Sequence, residues 1–326
     1  MAEIESNNFQ NFINYMKTSI WQNSHSGKQP IRVLKHNLTA RLEARNKKYI
    51  ESLQSDYRLH QEILYHAENL PLLNGQMPFI NDNGLINIHE TFLSYVWINC
   101  YYFYVLHEEK YAIPNLIAQG KMESRPYSAE LLSEAEDLFR YALTLVKGFT
   151  DWDKDVLPNP EYFDEESPQG NYILHVNDLF VEVLNFILYH ETAHAELEHI
   201  KKVQLNQLEN EERKPLEIEA DSRAIQLIMK NSTSRQKAEI AVVMGLASML
   251  FIKNSLKGGS THPDVDQRIE NAIEILQPSA DSEIWTTLCL FLKAWDLQYN
   301  FGLIENSNCK TIKDVFYDLL QQAKTL

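Results

Sequence analysis

Along most of this chain, apolar and polar positions alternate with the period of an α-helix. Phe9, Phe12, Ile13, Met16 and Ile20 fall at helical spacing, and Leu42, Tyr49, Leu53, Tyr57 and Leu64 repeat in steps of four and seven, so the N-terminal region is predicted to be helical. Between Pro71 and Ile88 the pattern changes. Asn83-Gly84 stands between Phe79-Ile80 and Leu85-Ile86, and this dipeptide accepts the positive φ of a tight turn, which predicts a hairpin near 79–88. The aromatic run from Phe92 to Leu106 reads as a core helix, with His89, Glu90 and His107 at its ends and Asn99 inside it.

The next helix is well marked: Ser128 caps it, Leu131, Ala135, Leu138, Ala142 and Leu145 share a face, and Gly148 stops it. Residues 151–170 interrupt the pattern with Pro158, Pro160 and Pro168 and with seven acids against one lysine. This is a loop or boundary whose acids are either solvated or recruit a basic partner. Helices are predicted from there onward, over about 177–201, 215–231, 235–257, 264–277, 283–299 and 311–324. Asn177 or Asp178 can cap the first, Pro215 suits the opening turn of the second, and Gly258-Gly259-Ser260 loosens the chain before His262-Pro263. The expected fold is mainly α, an α+β chain with one small sheet or hairpin. It divides into a mostly helical region over 1–170, a core over 171–280 and C-terminal helices over 281–326 that pack on that core.

Ten glycines and eleven prolines are few for 326 residues, which also favours helix. Thirty basic residues against 45 acidic ones give a net charge of −15, so nucleic acid is not an expected partner and anionic membrane surfaces are disfavoured. The excess belongs to the larger C-terminal part: residues 1–70 carry 9 basic and 7 acidic side chains, residues 71–326 carry 21 and 38. Cys100, Cys289 and Cys309 are an odd number without C-x-x-C spacing, which suggests neither a disulfide framework nor a thiolate metal site. The polar, acidic stretch Met1 to Gln10 does not read as a signal peptide. The longest apolar run, Ile240 to Ile252, holds 13 residues against the roughly 20 that span hydrocarbon. A cytoplasmic protein without membrane insertion is expected.

Candidate chemistry concentrates in Phe186-Ile-Leu-Tyr-His190-Glu191-Thr-Ala-His194. Two histidines four apart on a helix project from one face, the spacing for two ligands on one Zn²⁺, with Glu191 between them as a general base. A third ligand is needed. The positions that would continue the motif with Gly and His hold Leu197 and Ile200, so an acid from a second helix is required. Glu217 and Asp221, one turn apart in Leu216-Glu217-Ile-Glu219-Ala220-Asp221, share a face, whereas Glu219 points elsewhere. Glu217 can complete a His₂Glu site and Asp221 can hydrogen-bond a ligand histidine. Glu198, on the His190–His194 ridge, is the rival third ligand. Glu90 and Glu108 also follow histidines, but Leu93 and Tyr111 stand where a second ligand would be. A third motif, Thr261-His262-Pro263-Asp264-Val-Asp266-Gln-Arg268-Ile269, follows the glycine loop.

In that order, H-E-x-x-H, E-x-x-A-D and H-P-x-x-x-x-R-I over about residues 180–275 resemble the gluzincin metallopeptidases of the HtpX and CaaX-prenyl-protease kind. The chain departs from those in lacking their transmembrane helices and in carrying a long N-terminal region, and it resembles the soluble Lit-type phage-exclusion peptidases more closely. The resemblance implies a zincin-like helical core with one Zn²⁺ per chain on His190, His194 and Glu217, Glu191 as base and Asp221 behind a ligand. It implies that His262 stabilises the oxyanion and that Arg268 anchors its loop or contacts substrate. It further implies a protein substrate, an activating phage protein or peptide, and a role in defence. The alternative is a catalytically silent zincin-like scaffold that binds or regulates.

Overall fold

A computed structural model of the chain describes residues 29–31, 34–75, 77–126 and 128–326, with the side chains of the first helix described from Arg45 onward. The predicted stripe from Phe9 to Ile20 and the side chain of Leu42 lie outside the described residues. Helix α1 (Leu34–Ser55) bends at Asn46, whose φ of −130° is not helical. Leu53 is buried as expected, but the stripe does not continue: Tyr57 adopts a left-handed φ of 58° and is exposed, and Leu64 lies in a strand.

That strand, β1 (Ile63–His66), carries no alternation long enough to read in sequence. It pairs in parallel with β3 (Ile86–His89), and β2 (Phe79–Ile80) pairs antiparallel on the other side, giving the order β1-β3-β2. The predicted hairpin is thus present. Its turn is built by the Asn81 side chain, which accepts the backbone N–H groups of Asn83 and Leu85. Gly84 is required twice over: its φ is +73°, and a Cβ there would lie 2.4 Å from the Arg58 carbonyl oxygen.

Helix α2 (Glu90–His107) grows straight out of β3, its first turn capped by the His89 ring accepting the Thr91 N–H, and it is buried over almost its whole length. A five-residue π turn (Glu108–Ala112) and α3 (Ile113–Ala118) lead to α4 (Ala129–Lys147), which has the predicted Ser128 cap, Gly148 stop and buried face. Helix α5 (Pro168–Glu196) is the spine of the core and packs against α1, α2, α7 and α8. It starts nine residues before the predicted 177, because Ser167 caps it and Pro168 occupies its first turn. Asn177 instead sits buried inside it and accepts from Trp97 Nε1. It ends at Glu196 rather than 201 because Glu198 turns left-handed, with φ of 55°.

Beyond the break run α6 (His199–Asn206), α7 (Asn210–Asn231), α8 (Arg235–Ala247) with a tighter 3-10 turn Ser248–Ile252, α9 (Val265–Leu276), α10 (Ile284–Tyr299) and α11 (Ile312–Lys324). Helix α7 opens upstream of Pro215 on a capping box of Glu209 and Glu212, so that proline lies inside the helix rather than in its first turn. The apolar run Ile240–Ile252 forms α8 and its 3-10 extension and is largely buried, as expected. One unbroken hydrophobic core reaches from Ile31 to Ala323. Phe103 of α2 stacks on Phe291 of α10, and such a pair adds about 0.5–1.5 kcal/mol beyond its buried area. The fold is mainly α with a small three-stranded sheet. By length and composition α5 could cross a bilayer, yet 72% of its most apolar window is buried against the rest of the protein.

Candidate metal centre

His190, Glu191 and His194 occupy the last two turns of α5, where α7 crosses it. The four-residue spacing brings the two Nε2 atoms within 3.1 Å of each other. From α7, Glu217 Oε2 lies 3.3 Å from His190 Nε2 and Oε1 lies 3.6 Å from His194 Nε2. These three residues form a group whose ligand atoms lie within 4.8 Å of one another and could hold a metal ion.

The electrostatics fit a site arranged around positive charge. Burial disfavours a proton on His190, but Asp221 and Glu217 outweigh it and push that imidazole up to about 10. Burial also opposes ionisation of Glu217, yet the facing histidines hold it down to about 2. His194, buried and beside His190, is pulled down to about 3. A proton on His190 then supplies the charge that the other groups face.

Asp221 stands where the one-turn spacing on α7 places it. Its Oδ1 accepts from His190 Nδ1 at 2.8 Å, and Arg268 of α9 clamps the same carboxylate with Nε and Nη2, both at 2.7 Å. Asp221 is fully buried, and Arg268 and His190 overcome that burial to hold its carboxyl far below the usual range. Arg268 therefore meets Asp221, which in turn holds His190. Glu191 is buried with the backbone N–H of Ile80 donating to it, and burial, against the pull of His190, pushes it up to about 7.

His262 arrives on the glycine loop. A Cβ at Gly258 would sit 2.1 Å from the His262 carbonyl oxygen, so only glycine lets this loop fold back on itself. The loop is tied down by Lys253 donating to the Gly258 carbonyl and by the Gly258 N–H donating to Asp264. His262 Nε2 comes within 3.6 Å of Glu217 Oε2, and the side chain remains half exposed. Two cavities meet here: one of about 360 Å³ toward α6, reaching Ile200, Val203 and Arg213, and an apolar one of about 510 Å³ toward Phe92, Phe186 and Met249. His190, Glu191, Glu217 and His262 line both, beneath Pro78 and Phe79 of the β2 edge.

All seven sequence-predicted site residues are thus brought to one place. The rival ligand Glu198 is not, because the left-handed break turns it toward Lys201 at 2.6 Å. Two residues were missed. His199 Nδ1 lies 3.0 Å from His194 Nδ1, and His199 Nε2 lies 3.1 Å from Glu219 Oε2. On a continuous helix a residue five positions after His194 would face away from it. Only the break at Glu198 returns His199 to that face, and a glutamate gives no hint of a left-handed turn.

A model of the Peptidase U49 family matches residues 86–288. The chain belongs to this family. The U49 match runs from β3 into α10 and contains every side chain of the cluster described above, from His190 to Arg268. The chain is accordingly a peptidase with a protein substrate, in the family that includes the Lit-type phage-exclusion peptidases. No curated protein and no solved structure matches it.

Proposed function

We propose that this U49 peptidase is a zinc-dependent endopeptidase of the gluzincin kind, with His190, His194 and Glu217 as ligands and Glu191 as general base. The observation that carries the reading is the group of three donors whose ligand atoms lie within 4.8 Å of one another, the two imidazole nitrogens 3.1 Å apart and each facing one oxygen of the Glu217 carboxylate, at 3.3 and 3.6 Å. A tetrahedral zinc with bonds near 2.05 Å spaces its ligand atoms about 3.3 Å apart, a separation close to those between these donors, which supports the reading. Bound there, zinc supplies a Lewis acid that polarises the scissile carbonyl and acidifies water. Glu191, raised to about 7, takes a proton from water near neutral pH and returns it to the leaving amine, help typically worth ~10² to 10⁴ in rate. His262, half exposed and within 3.6 Å of Glu217, would donate a hydrogen bond to the carbonyl oxygen as it gains charge. Asp221 fixes the tautomer of His190, and Arg268 keeps Asp221 ionised.

The biological reading rests on the family: cleavage of a cytosolic host protein in phage exclusion, gated by a phage protein or peptide. Proteomes of cells expressing wild type and Glu191→Gln, with and without phage infection, test both levels. New protein termini that appear with wild type alone support an endopeptidase, and their dependence on infection supports gating. If the two proteomes are the same while the variant retains full exclusion, the chain acts as a silent scaffold and the proposal fails.

A further inference from the structure

The two candidate ligand histidines differ in what holds their outer nitrogens. That of His190 meets a carboxylate directly; that of His194 meets a third imidazole, His199, which then meets the carboxylate of Glu219. We propose that His199 and Glu219 form a positioning pair that sets the tautomer of His194 and thereby the metal affinity of the site. The inference rests on the zinc reading above and adds residues to it.

The proton positions follow in sequence from the acceptor at the end. An ionised Glu219 only accepts, so His199 Nε2 carries the hydrogen of the 3.1 Å contact. A neutral His199 then has a bare Nδ1, which accepts across the 3.0 Å contact and requires the hydrogen on His194 Nδ1. The consequence is a lone pair on His194 Nε2, the atom that faces His190 and Glu217. Run backwards, a donor at position 219 would leave His199 donating from Nδ1, and His194 would present an N–H to the metal position. Burial keeps the pair in register: His199 is 2% exposed and is held at the opening of α6 by the left-handed turn at Glu198. Glu219 is about half exposed, so substitutions there leave the core intact.

Three variants separate positioning from packing. Purified wild type, Glu219→Gln, Glu219→Lys and His199→Phe are titrated with zinc against a chromogenic chelator, and the histidine ring nitrogens of the metal-free proteins are assigned by ¹⁵N NMR. Glutamine can still accept through its carbonyl oxygen but can also donate through its amide, so Glu219→Gln is expected to bind zinc within a few-fold of wild type with the His194 hydrogen less firmly fixed on Nδ1. Glu219→Lys and His199→Phe are expected to bind about 10- to 100-fold more weakly, the range typical for loss of a partner behind a metal ligand. In Glu219→Lys the His194 hydrogen moves to Nε2, a signature that neither altered packing nor added charge alone produces. Equal zinc affinity in all four proteins with an unchanged His194 pattern overturns the positioning pair while leaving the zinc site standing. Absence of zinc binding by wild type overturns the metal reading itself, and the pair with it.

Discussion

Four residues apart on one helix and almost equally buried, His190 and His194 are backed by carboxylates in different dielectric surroundings. Behind His190 stand a fully buried carboxylate and a guanidinium that grips it with two hydrogen bonds. Behind His194 stand a second imidazole and then a glutamate half in solvent, with Lys202 near it. Charges out of water interact strongly and are costly to leave unpaired, whereas exposed charges are screened. The first support is therefore part of what holds α5, α7 and α9 together, and the second acts on the proton of one ring.

The largest test of this contrast is Asp221→Ala. It strands Arg268 beside His190 in the core, and a loss of about 3–5 kcal/mol in unfolding free energy is expected by chemical denaturation. His199→Phe removes one neutral hydrogen-bonded partner, and a loss nearer 1–2 kcal/mol is expected in the same assay. Comparable losses for the two would erase the distinction.

The pH dependence of zinc binding sharpens it. His190 is raised to about 10, so zinc at the proposed site would displace its proton near pH 7, and affinity is expected to increase with pH until about 10. His194 is lowered to about 3 and is already bare, so it releases nothing in that window. Above the range of Glu191 one proton is expected to leave per zinc, so affinity should climb about tenfold per pH unit between pH 8 and 9. A slope of two would mean that both rings carry protons. The smallest effect is expected for Glu198→Gly, which relieves a left-handed glutamate at the break before His199; the melting temperature should rise slightly with zinc affinity unchanged.

His190, His194, Glu217 and Asp221 were legible because helical periodicity alone decides which side chains share a face, and the α5–α7 crossing then brings the two faces together. The aromatic helix and the Ser128 cap were readable for the same local reasons. What escaped depended on breaks in that periodicity or on backbone atoms. His199 returns to the site through a left-handed residue, and Ile80 acts on Glu191 through its N–H, which no side chain announces. Prolines misled in both directions. Pro168 reads in sequence as part of a loop but opens α5, while Pro215 suits an opening turn but sits inside α7, because the capping residues Ser167 and Glu209 decide where each helix begins.

The most direct measurement is the zinc content of the purified, folded chain after exposure to zinc and removal of excess, compared among wild type, Glu191→Gln and Glu217→Ala. One zinc per chain is expected in the first two and a large deficit in the third, since in the proposed site Glu217 contributes a ligand atom and Glu191 does not. A folded wild type that holds no stoichiometric zinc, or a Glu217→Ala protein that holds as much as wild type, would contradict the account.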